Sequence, residues 1–298
     1  IIPPSIALVL LGDVIASAYQ RAQLDLGVVN TATVSVGDLF VGALIPGLIL
    51  VAFYLLWILL VARIRPQLAP AIAAEGASLS ELFSALLPPF ILIALVLGSI
   101  LLGAATPTEA AGVGAVGALL LALQRRQMSW MKLHEIGLST MRVTSMVFLI
   151  LIGAAVFTLV FRGFGGEELV QGFFDHMNLG PQGAMLLVML VIFLLGFILD
   201  FIEITFVVVP IVGPILLAMG FDPIWFGIML AVNLQTSFLT PPFGFALFYL
   251  RGVAPPTLTT GSIYKGVIPF VVLQIGLLAL LWSVPDLVTW LPGVFRSG

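Results

Sequence analysis

Residues 239–244 read Leu-Thr-Pro-Pro-Phe-Gly, and residues 1–5 read Ile-Ile-Pro-Pro-Ser. Both Pro-Pro pairs stand inside strongly apolar runs. Proline removes a backbone donor and clashes with the preceding helical turn, so a pair of prolines breaks a helix. In lipid, the freed backbone groups are tolerated only where they are buried in protein or line a cavity. The two pairs therefore predict two broken helices whose ends line a functional site.

The composition indicates that the solvent of this chain is a membrane. Of the 298 residues, 61% are apolar and 8% are charged, whereas a soluble domain has about 25% charged residues. The net charge of −3 offers no basic surface for nucleic acid. With no cysteine and two distant histidines, the chain predicts no disulfide and no zinc site. It starts within a motif and without a basic leader, so we expect a fragment whose missing part lies upstream of Ile1.

Three apolar runs meet the length of about 20 residues that a membrane-crossing helix needs: residues 40–61, 143–161 and 267–282. Residues 185–219 are too long for one span and carry Asp200 and Glu203 near their middle. We interpret them as two short spans with a polar hinge, with both carboxylates on one helix face.

Two further apolar segments are interrupted. Residues 224–253 predict a span broken at Thr240, and residues 88–122 are interrupted at residues 105–109. The second interruption leaves two arms of roughly 15 residues, about 22 Å each at helical rise, which are too short to cross. The pattern favours a re-entrant helical hairpin over residues 88–122. The amphipathic residues 124–140 that follow predict an interfacial helix.

The distribution of basic residues supports this topology. Arg63 and Arg65 follow the first full span, and a second basic group follows the hairpin, which returns the chain to the side from which it came. Both groups then lie in the cytoplasm, as the positive-inside rule requires. Of the 11 basic residues, three fall outside: Arg21, Arg162 and Arg296.

The two Pro-Pro neighbourhoods are predicted to be copies of one unit. Each is followed by a short apolar helix, a polar loop and a full span. The charge-derived topology orients the two copies oppositely, which is typical of inverted-repeat transporters. We therefore predict that residues 1–65 are the C-terminal part of a first repeat, residues 66–85 a polar connector and residues 86–298 a second repeat.

The helix breaks predict a particular binding chemistry. Thr106, Pro107 and Glu109 have the spacing of a capping box, so a helix begins there inside the apolar run, and Glu109 is a structural cap. Thr240 is predicted to cap a half-helix beginning at Pro241 in the same way. Each break also leaves helix carbonyls without a helical partner. Carbonyl and hydroxyl oxygens suit a hard cation such as sodium, and the amide ends suit a carboxylate.

Two stretches carry a family resemblance. Residues 103–115, Gly-Ala-Ala-Thr-Pro-Thr-Glu-Ala-Ala-Gly-Val-Gly-Ala, resemble the hairpin signature of the large membrane subunit of tripartite ATP-independent periplasmic (TRAP) transporters. Residues 220–244, from Gly-Phe-Asp-Pro to Leu-Thr-Pro-Pro-Phe-Gly, resemble the same family. The likeness extends over essentially the whole chain. Residues 196–204 are similar to its mannitol/chloroaromatic or organic-acid branch.

The resemblance implies an all-α integral membrane fold, an inverted-repeat elevator-type transporter with a re-entrant helical hairpin and broken transmembrane helices. It implies sodium-coupled import of an organic anion across a bacterial or archaeal inner membrane, without ATP and without another cofactor. A small membrane subunit and a periplasmic binding protein are the implied partners. The family's first hairpin does not occur after Ile1, so half of the expected symmetric site is missing from this chain.

The candidate substrate- or ion-binding residues are Ser5, Gly103, Ala104, Thr106, Thr108, Asn233, Thr236, Ser237, Thr240, Pro241 and Gly244. Within this set, we predict that sodium is held by Gly103, Thr106, Thr236 and Thr240. Simpler roles stay open for several of them: Asn233, Thr236 and Ser237 also suit ordinary hydrogen bonds between helices, and Asp200 and Glu203 also suit a solvated hinge.

Other functions remain as alternatives to coupled transport. An ion-coupled symporter without a binding protein and a passive anion channel would both use broken helices, although channels favour repeated pore-lining segments or charged rings. A membrane protease has no His-Glu-x-x-His motif to support it. A purely structural permease fragment describes this chain in isolation. No catalytic residue is predicted, and the chain is not expected to be an enzyme.

Overall fold

The structure is a computed structural model that describes residues 2–28, 33–69, 78–242, 244–255 and 258–297. Throughout these ranges the regular structure is helical, in agreement with the predicted all-α class. The helices are α1 Ile6–Asp25, α2 Val36–Ile64, α3 Leu79–Leu101, α4 Pro107–Gln124, α5 Trp130–Gly163, α6 Gly166–Met177, α7 Gly180–Leu195, α8 Phe201–Glu203, α9 Val209–Ala218, α10 Pro223–Leu239, α11 Phe245–Val253, α12 Thr260–Ser283 and α13 Asp286–Ser297. Parts of the predicted connector and polar loops, together with Ile1 and Phe243 beside the Pro-Pro pairs, lie outside the described residues.

Within the described ranges, six helical segments are long and apolar enough to cross a membrane: α2, most of α3, α4, α5, α8 through α9, and α12. The three predicted full-length spans lie inside α2, α5 and α12 and are confirmed as continuous helices. Large apolar side chains along α3 and α5 are exposed, as lipid-facing side chains are. The chain is a multi-pass membrane protein.

The helices divide into two compact units. The first comprises Ile1–Val51 and Val147–Gly298, and the second comprises Ala52–Met146. The first unit contains α1, the beginning of α2, the end of α5 and all helices from α6 onward. The second contains the remainder of α2, the α3–α4 pair and the beginning of α5. This division does not test the predicted boundaries of the inverted repeats, which stay a prediction.

In the first unit, α10 is the central helix. Almost all of its residues are buried, and it packs against α1, α7, α11, α12 and α13. Trp225 joins α10 to α12 because its indole Nε1 donates to the Leu281 carbonyl at 2.9 Å. Its ring also contacts Phe221 and Trp282, each at a centroid distance of 5.6 Å. The break at the end of α10 therefore projects from a rigid, buried helix.

In the second unit, α3 and α4 form a packed pair whose helices are longer than the predicted arms. They contain 23 and 18 residues, about 34 and 27 Å at helical rise. The prediction of 15-residue arms was wrong because it started the first arm at Pro88 and treated the two prolines as its boundary. Both prolines lie inside α3, which begins earlier at a capping box between Ser78 and Glu81. Re-entry of this hairpin stays a prediction.

Arg125 explains how α3 continues through two prolines. Prolines at 88 and 89 have no backbone N–H and so leave the carbonyls of Ser84 and Ala85 without their helical donors. The guanidinium Nη2 of Arg125, directly after α4, donates to the Ser84 carbonyl at 3.1 Å and lies 3.5 Å from the Ala85 carbonyl. One side chain thus replaces the missing donors and ties the two helices together.

The interfacial helix predicted for residues 124–140 is wrong as a separate element. Gln124 ends α4, and α5 runs without interruption from Trp130 to Gly163. No proline interrupts this stretch, and the Ser129 hydroxyl accepts the backbone N–H of Lys132 at its start. The 34 residues of α5 extend about 51 Å, so its polar first third continues beyond a hydrocarbon core of about 30 Å.

Candidate functional site

The break after α10 is confirmed, and its hydroxyl groups are arranged in one ladder. Thr236 donates to the Val232 carbonyl at 2.7 Å, Ser237 to the Leu234 carbonyl at 2.9 Å and Thr240 to the Thr236 carbonyl at 2.7 Å. Each hydroxyl therefore uses its hydrogen on the helix and keeps its oxygen lone pairs as acceptors. Of the carbonyls that were predicted to be free at the end of α10, that of Thr236 is satisfied by the Thr240 hydroxyl.

The predicted cap by Thr240 is wrong. The helix after the break, α11, begins at Phe245 with Gly244 as its N-cap residue, and no side chain caps it. Pro241 and Pro242 occupy the turn itself rather than the first helical positions, and the Gly244 N–H closes the turn on the Thr240 carbonyl at 3.0 Å. The Thr240 hydroxyl completes the end of α10 instead of the start of α11.

Gly244 allows carbonyl oxygens to converge at this turn. A Cβ atom at residue 244 would lie 2.6 Å from the Phe238 oxygen and 3.0 Å from the Thr240 oxygen. Backbone atoms cannot yield as a flexible side chain does, so no other residue fits without moving the turn. The turn brings together two carbonyl oxygens beside the hydroxyl ladder, and this is the donor set that a hard cation prefers.

Asn233 lies one turn before this ladder and is 3% exposed. Its Nδ2 donates to the Met189 carbonyl of α7 at 2.8 Å. The amide group thus joins α10 to α7, which is the simpler role considered for this residue, and its Oδ1 is the atom left for a ligand.

A second helix break packs against the end of α10. The predicted hinge in residues 185–219 is present as a turn between α7 and α8, and a Cβ at Gly196 would lie 2.1 Å from the Ser237 hydroxyl oxygen. Asp200 is the N-cap of α8 rather than a residue on its face, and its Oδ1 accepts the Phe201 N–H at 2.7 Å. The prediction that Asp200 and Glu203 share a helix face therefore needs correction.

The helix that follows this turn contains a π-helical segment, Ile204–Val208, directly after α8. Thr205 lies in it, fully buried, and its Oγ1 has no hydrogen-bond partner among the described residues. Segments of π-helix often occur at functional sites. We name the turn 196–200 together with residues 236–242 and Gly244 the helix-end cluster.

Ser5 belongs to the same end of the first unit. Asp13 and Ser17 line one cavity with Phe206 and Pro210, and the later residue Ala18 lies against Gly213. The residue numbers rise together along both helices, so α1 runs parallel to α9. Its beginning, where Ser5 is the N-cap residue without a side-chain cap bond, therefore points towards α8, which α1 contacts.

The remaining predicted site residues lie in the second unit, at the turn between α3 and α4. The predicted capping box is present: Glu109 accepts from the Thr106 N–H and hydroxyl, each at 2.8 Å, and the Thr106 oxygen accepts the Glu109 N–H at 3.3 Å. The turn satisfies the Gly98, Ser99 and Ile100 carbonyls with its own amides, including that of Ala104, while Gly103 has a φ of +67°. Thr108 lies in the first turn of α4.

The predicted residues thus fall into two groups, one in each unit. The structure brings Thr236, Ser237, Thr240, Pro241 and Gly244 together, with Asn233 adjacent, and adds the turn 196–200 through the contact of Gly196 with Ser237. Sequence reasoning did not pair the 196–200 turn with α10. The available signal was an apolar run too long for one span with an acidic N-cap at its centre.

Helix ends that meet inside an apolar bundle, with carbonyls and hydroxyls at their tips, are typical of the class of membrane transport proteins. Comparison with known families gives the particular family. The model of the tripartite ATP-independent periplasmic transporter, DctM component, matches residues 1–287. The chain belongs to this family, whose members are transporter components rather than enzymes, and it is a multi-pass protein of the inner membrane.

Curated relatives support this assignment. The chain is 29% identical to the sialic acid TRAP transporter large permease protein of Vibrio cholerae, covering 99% of this chain and 65% of the relative. It is 29% identical to the C4-dicarboxylate large permease protein of Pseudomonas aeruginosa, covering 98% and 64%. It is 27% identical to the 2,3-diketo-L-gulonate large permease protein of Escherichia coli, covering 97% and 63%. The chain therefore spans somewhat less than two thirds of the length of these relatives.

Proposed function

We propose that the complete protein containing this chain imports an organic acid anion together with sodium, as the large subunit of a TRAP transporter. A periplasmic binding protein delivers the anion, and a small membrane subunit accompanies the large one. An elevator motion carries the site across the bilayer. Membership of the family supports the class of transporter, and the helix-end cluster supports the coupling to a cation.

The contact between Gly196 and Ser237 is the observation that carries the proposal. It brings the turn after α7 against the end of α10, so that two breaks distant in sequence meet in one unit. The Thr236, Ser237 and Thr240 hydroxyls and the Phe238 and Thr240 carbonyl oxygens lie at this end of α10. A helix break of this kind suits a dehydrated sodium ion, which binds neutral oxygen ligands.

The proposed sodium ligands follow from this arrangement. Thr236 and Thr240 offer hydroxyl oxygens in the first unit, and Gly103 and Thr106 offer a carbonyl and a hydroxyl in the second. The carboxylate of the substrate is held by amide ends, of which α1 at Ser5 and α11 at Gly244 begin at the helix-end cluster. The proposed sodium ligands are therefore two residues of the first unit and two residues of the second.

The substrate is proposed to be an organic acid because the relatives' names specify sialic acid, C4-dicarboxylates and 2,3-diketo-L-gulonate. These molecules share a carboxylate and differ in the rest of the molecule. Backbone amides recognise the carboxylate and not the remainder. Selection among acids therefore rests on the binding protein and on side chains outside the helix ends.

Reconstitution tests the proposal against its alternatives. The complete large and small subunits are placed in lipid vesicles, and uptake of labelled sialic acid, succinate and 2,3-diketo-L-gulonate is measured with and without the binding protein. We expect accumulation of one of these acids that requires both the binding protein and an inward sodium gradient. Uptake that ignores the gradient would indicate a channel, and gradient-driven uptake without the binding protein would indicate a simpler symporter.

A further inference from the structure

A polar cleft lies between α1, α5 and α9 in the first unit, away from the helix-end cluster. On α1, residues 13, 17, 21 and 25 are Asp, Ser, Arg and Asp, a spacing of four that places them on one helix face. A cavity of about 570 Å³ is lined by Asp13, Ser17 and Arg21 together with Thr158 and Arg162 of α5. Such a concentration of charge is unusual in a chain with 8% charged residues.

A second cavity, of about 820 Å³, continues the cleft towards α6. Arg21 and Arg162 line this cavity as well, with Asp25, Glu167 and Gln171. The two arginines are 141 positions apart in the sequence, and the charge-derived topology predicts both on the outer side. The fold brings them to the wall shared by both cavities.

The two guanidinium groups differ in their partners. Arg162 is bonded to the Glu167 carboxylate, so its charge is compensated. Arg21 is half-buried and forms no hydrogen bond or ion pair in the part of the chain that the structure describes. A guanidinium has five N–H donors in a planar fork that matches a carboxylate. A half-buried guanidinium on a cavity wall that is not hydrogen-bonded to a carboxylate is available to the carboxylate of a ligand.

We propose that this cleft binds the carboxylate of the imported acid at Arg21, before the acid reaches the helix-end cluster. The Ser17 and Thr158 hydroxyls and the Gln171 amide supply hydrogen bonds to the rest of the molecule. Asp13 lies eight residues from Arg21 along α1, about 12 Å at helical rise, and lines the first cavity.

Asp13 helps to determine which acids fit, together with Asp25 and Glu167 of the second cavity. Its carboxylate accepts hydrogen bonds from hydroxyl or amino groups and repels a second carboxylate. The cleft therefore favours a monocarboxylate with hydroxyl or amino groups over a dicarboxylate. This inference rests on the proposed import of an organic acid and specifies the substrate class.

Chemical modification of arginine tests the site without transport. The complete subunit in detergent is treated with phenylglyoxal, and the modification of Arg21 is measured by mass spectrometry with gluconate, succinate or sodium chloride at matched ionic strength. We expect gluconate to protect Arg21 at a concentration about fivefold lower than succinate, and chloride not to protect it. Arg63, at the exposed end of α2, should be modified equally in all three.

Two variants make the test specific. Asp13→Asn should reduce the preference for gluconate over succinate, although Asp25 and Glu167 remain, whereas Glu135→Gln, which removes an exposed carboxylate outside the cleft, should leave it unchanged. Protection of Arg21 by vesicles containing phosphatidylglycerol, and not by either acid, would assign the site to a lipid headgroup and overturn the proposal. Equal modification under every condition would also overturn it. Failure of sodium-driven uptake with Arg21 still protected by gluconate would reject the proposed function alone.

Discussion

The hydroxyl groups at the end of α10 illustrate how one side chain serves structure and ligand together. Thr240 donates its hydrogen to the Thr236 carbonyl, which a helix end otherwise leaves unpaired. The hydroxyl oxygen keeps its lone pairs as acceptors. A donor to the backbone is thereby fixed as an acceptor for a cation, and the side chain loses no further rotamer freedom on binding.

Substitution of Thr240 tests the contribution of its hydroxyl to sodium binding. Thr240→Val keeps the shape and removes the oxygen, so we expect the sodium concentration for half-maximal uptake to rise about tenfold, equivalent to about 1.4 kcal/mol. Thr240→Ser keeps the oxygen and should change it little. Sodium titration of uptake in vesicles provides the measurement. If Thr240→Val and Thr106→Ala both leave the sodium dependence unchanged, the assignment of sodium to the helix breaks is wrong.

Gly196 lies where no Cβ atom fits. A Cβ there would meet Ser237 Oγ at 2.1 Å and Ser237 Cβ at 2.8 Å, so Gly196→Ala must push the 196–200 turn away from α10. Overpacking of this kind costs about 1–3 kcal/mol. We expect a lower melting temperature and a loss of sodium-driven uptake. Gly276→Ala is the matched control, because a Cβ at Gly276 meets nothing within 4 Å, and a control that fails equally would contradict the contact.

Because Glu109 is part of the capping box at Thr106, we expect its substitution to change the stability of the protein and not its transport. Thr106→Ala removes the N-cap and should cost about 1 kcal/mol of stability. Glu109→Gln keeps an acceptor at the N3 position and should cost less. Thermal unfolding of the purified subunit checks both. A larger loss for Glu109→Gln would mean that its charge has a role beyond the cap.

At the scale of elements, the sequence predicts helices well and their ends less well. The length and hydropathy of the sequence are enough to predict α2 and α12, because a helix that crosses a bilayer must be long and apolar. Helix α3 differs because Pro88 and Pro89 are compensated by Arg125, 36 positions or more away in the sequence. A long-range hydrogen bond of this kind leaves no local pattern, so a rule that ends helices at proline fails there.

The role of Arg125 can be measured against its neighbour. Arg125→Gln should destabilise the α3–α4 pair by about 1–3 kcal/mol, since it removes charged donors from carbonyls that have no others. In thermal unfolding we expect a fall of about 5 °C. Arg126→Gln removes the same charge from a side chain that forms no hydrogen bond or ion pair with the described residues, and it should have a small effect. Equal effects of the two substitutions would indicate that charge, and not hydrogen bonding, matters at this turn.

At the scale of the whole molecule, the sequence predicted the class of protein and most residues of the candidate site, but only part of their arrangement. Pro241 and Gly244 mark the break after α10 through local backbone chemistry, and this was predictable. The contact between Gly196 and Ser237 depends on how α7 and α10 pack. The position of Arg21 and Arg162 on one cavity wall depends on how α1 and α5 pack. Such contacts arise from tertiary packing, which periodicity and composition do not encode.

The central claim is that sodium binds at the helix-end cluster. A ligand that binds only the folded state raises its stability, by about 2.7 kcal/mol at 100 times its dissociation constant. The most direct measurement is the melting temperature of the purified complete subunit in sodium chloride and in potassium chloride at equal ionic strength. We predict a higher melting temperature in sodium for the native protein and for Gly276→Ala, and a much smaller difference for Gly244→Ala, where a Cβ would lie 2.6 Å from the Phe238 oxygen. Equal melting temperatures in the two salts for the native protein, or an undiminished sodium effect in Gly244→Ala, would contradict the claim.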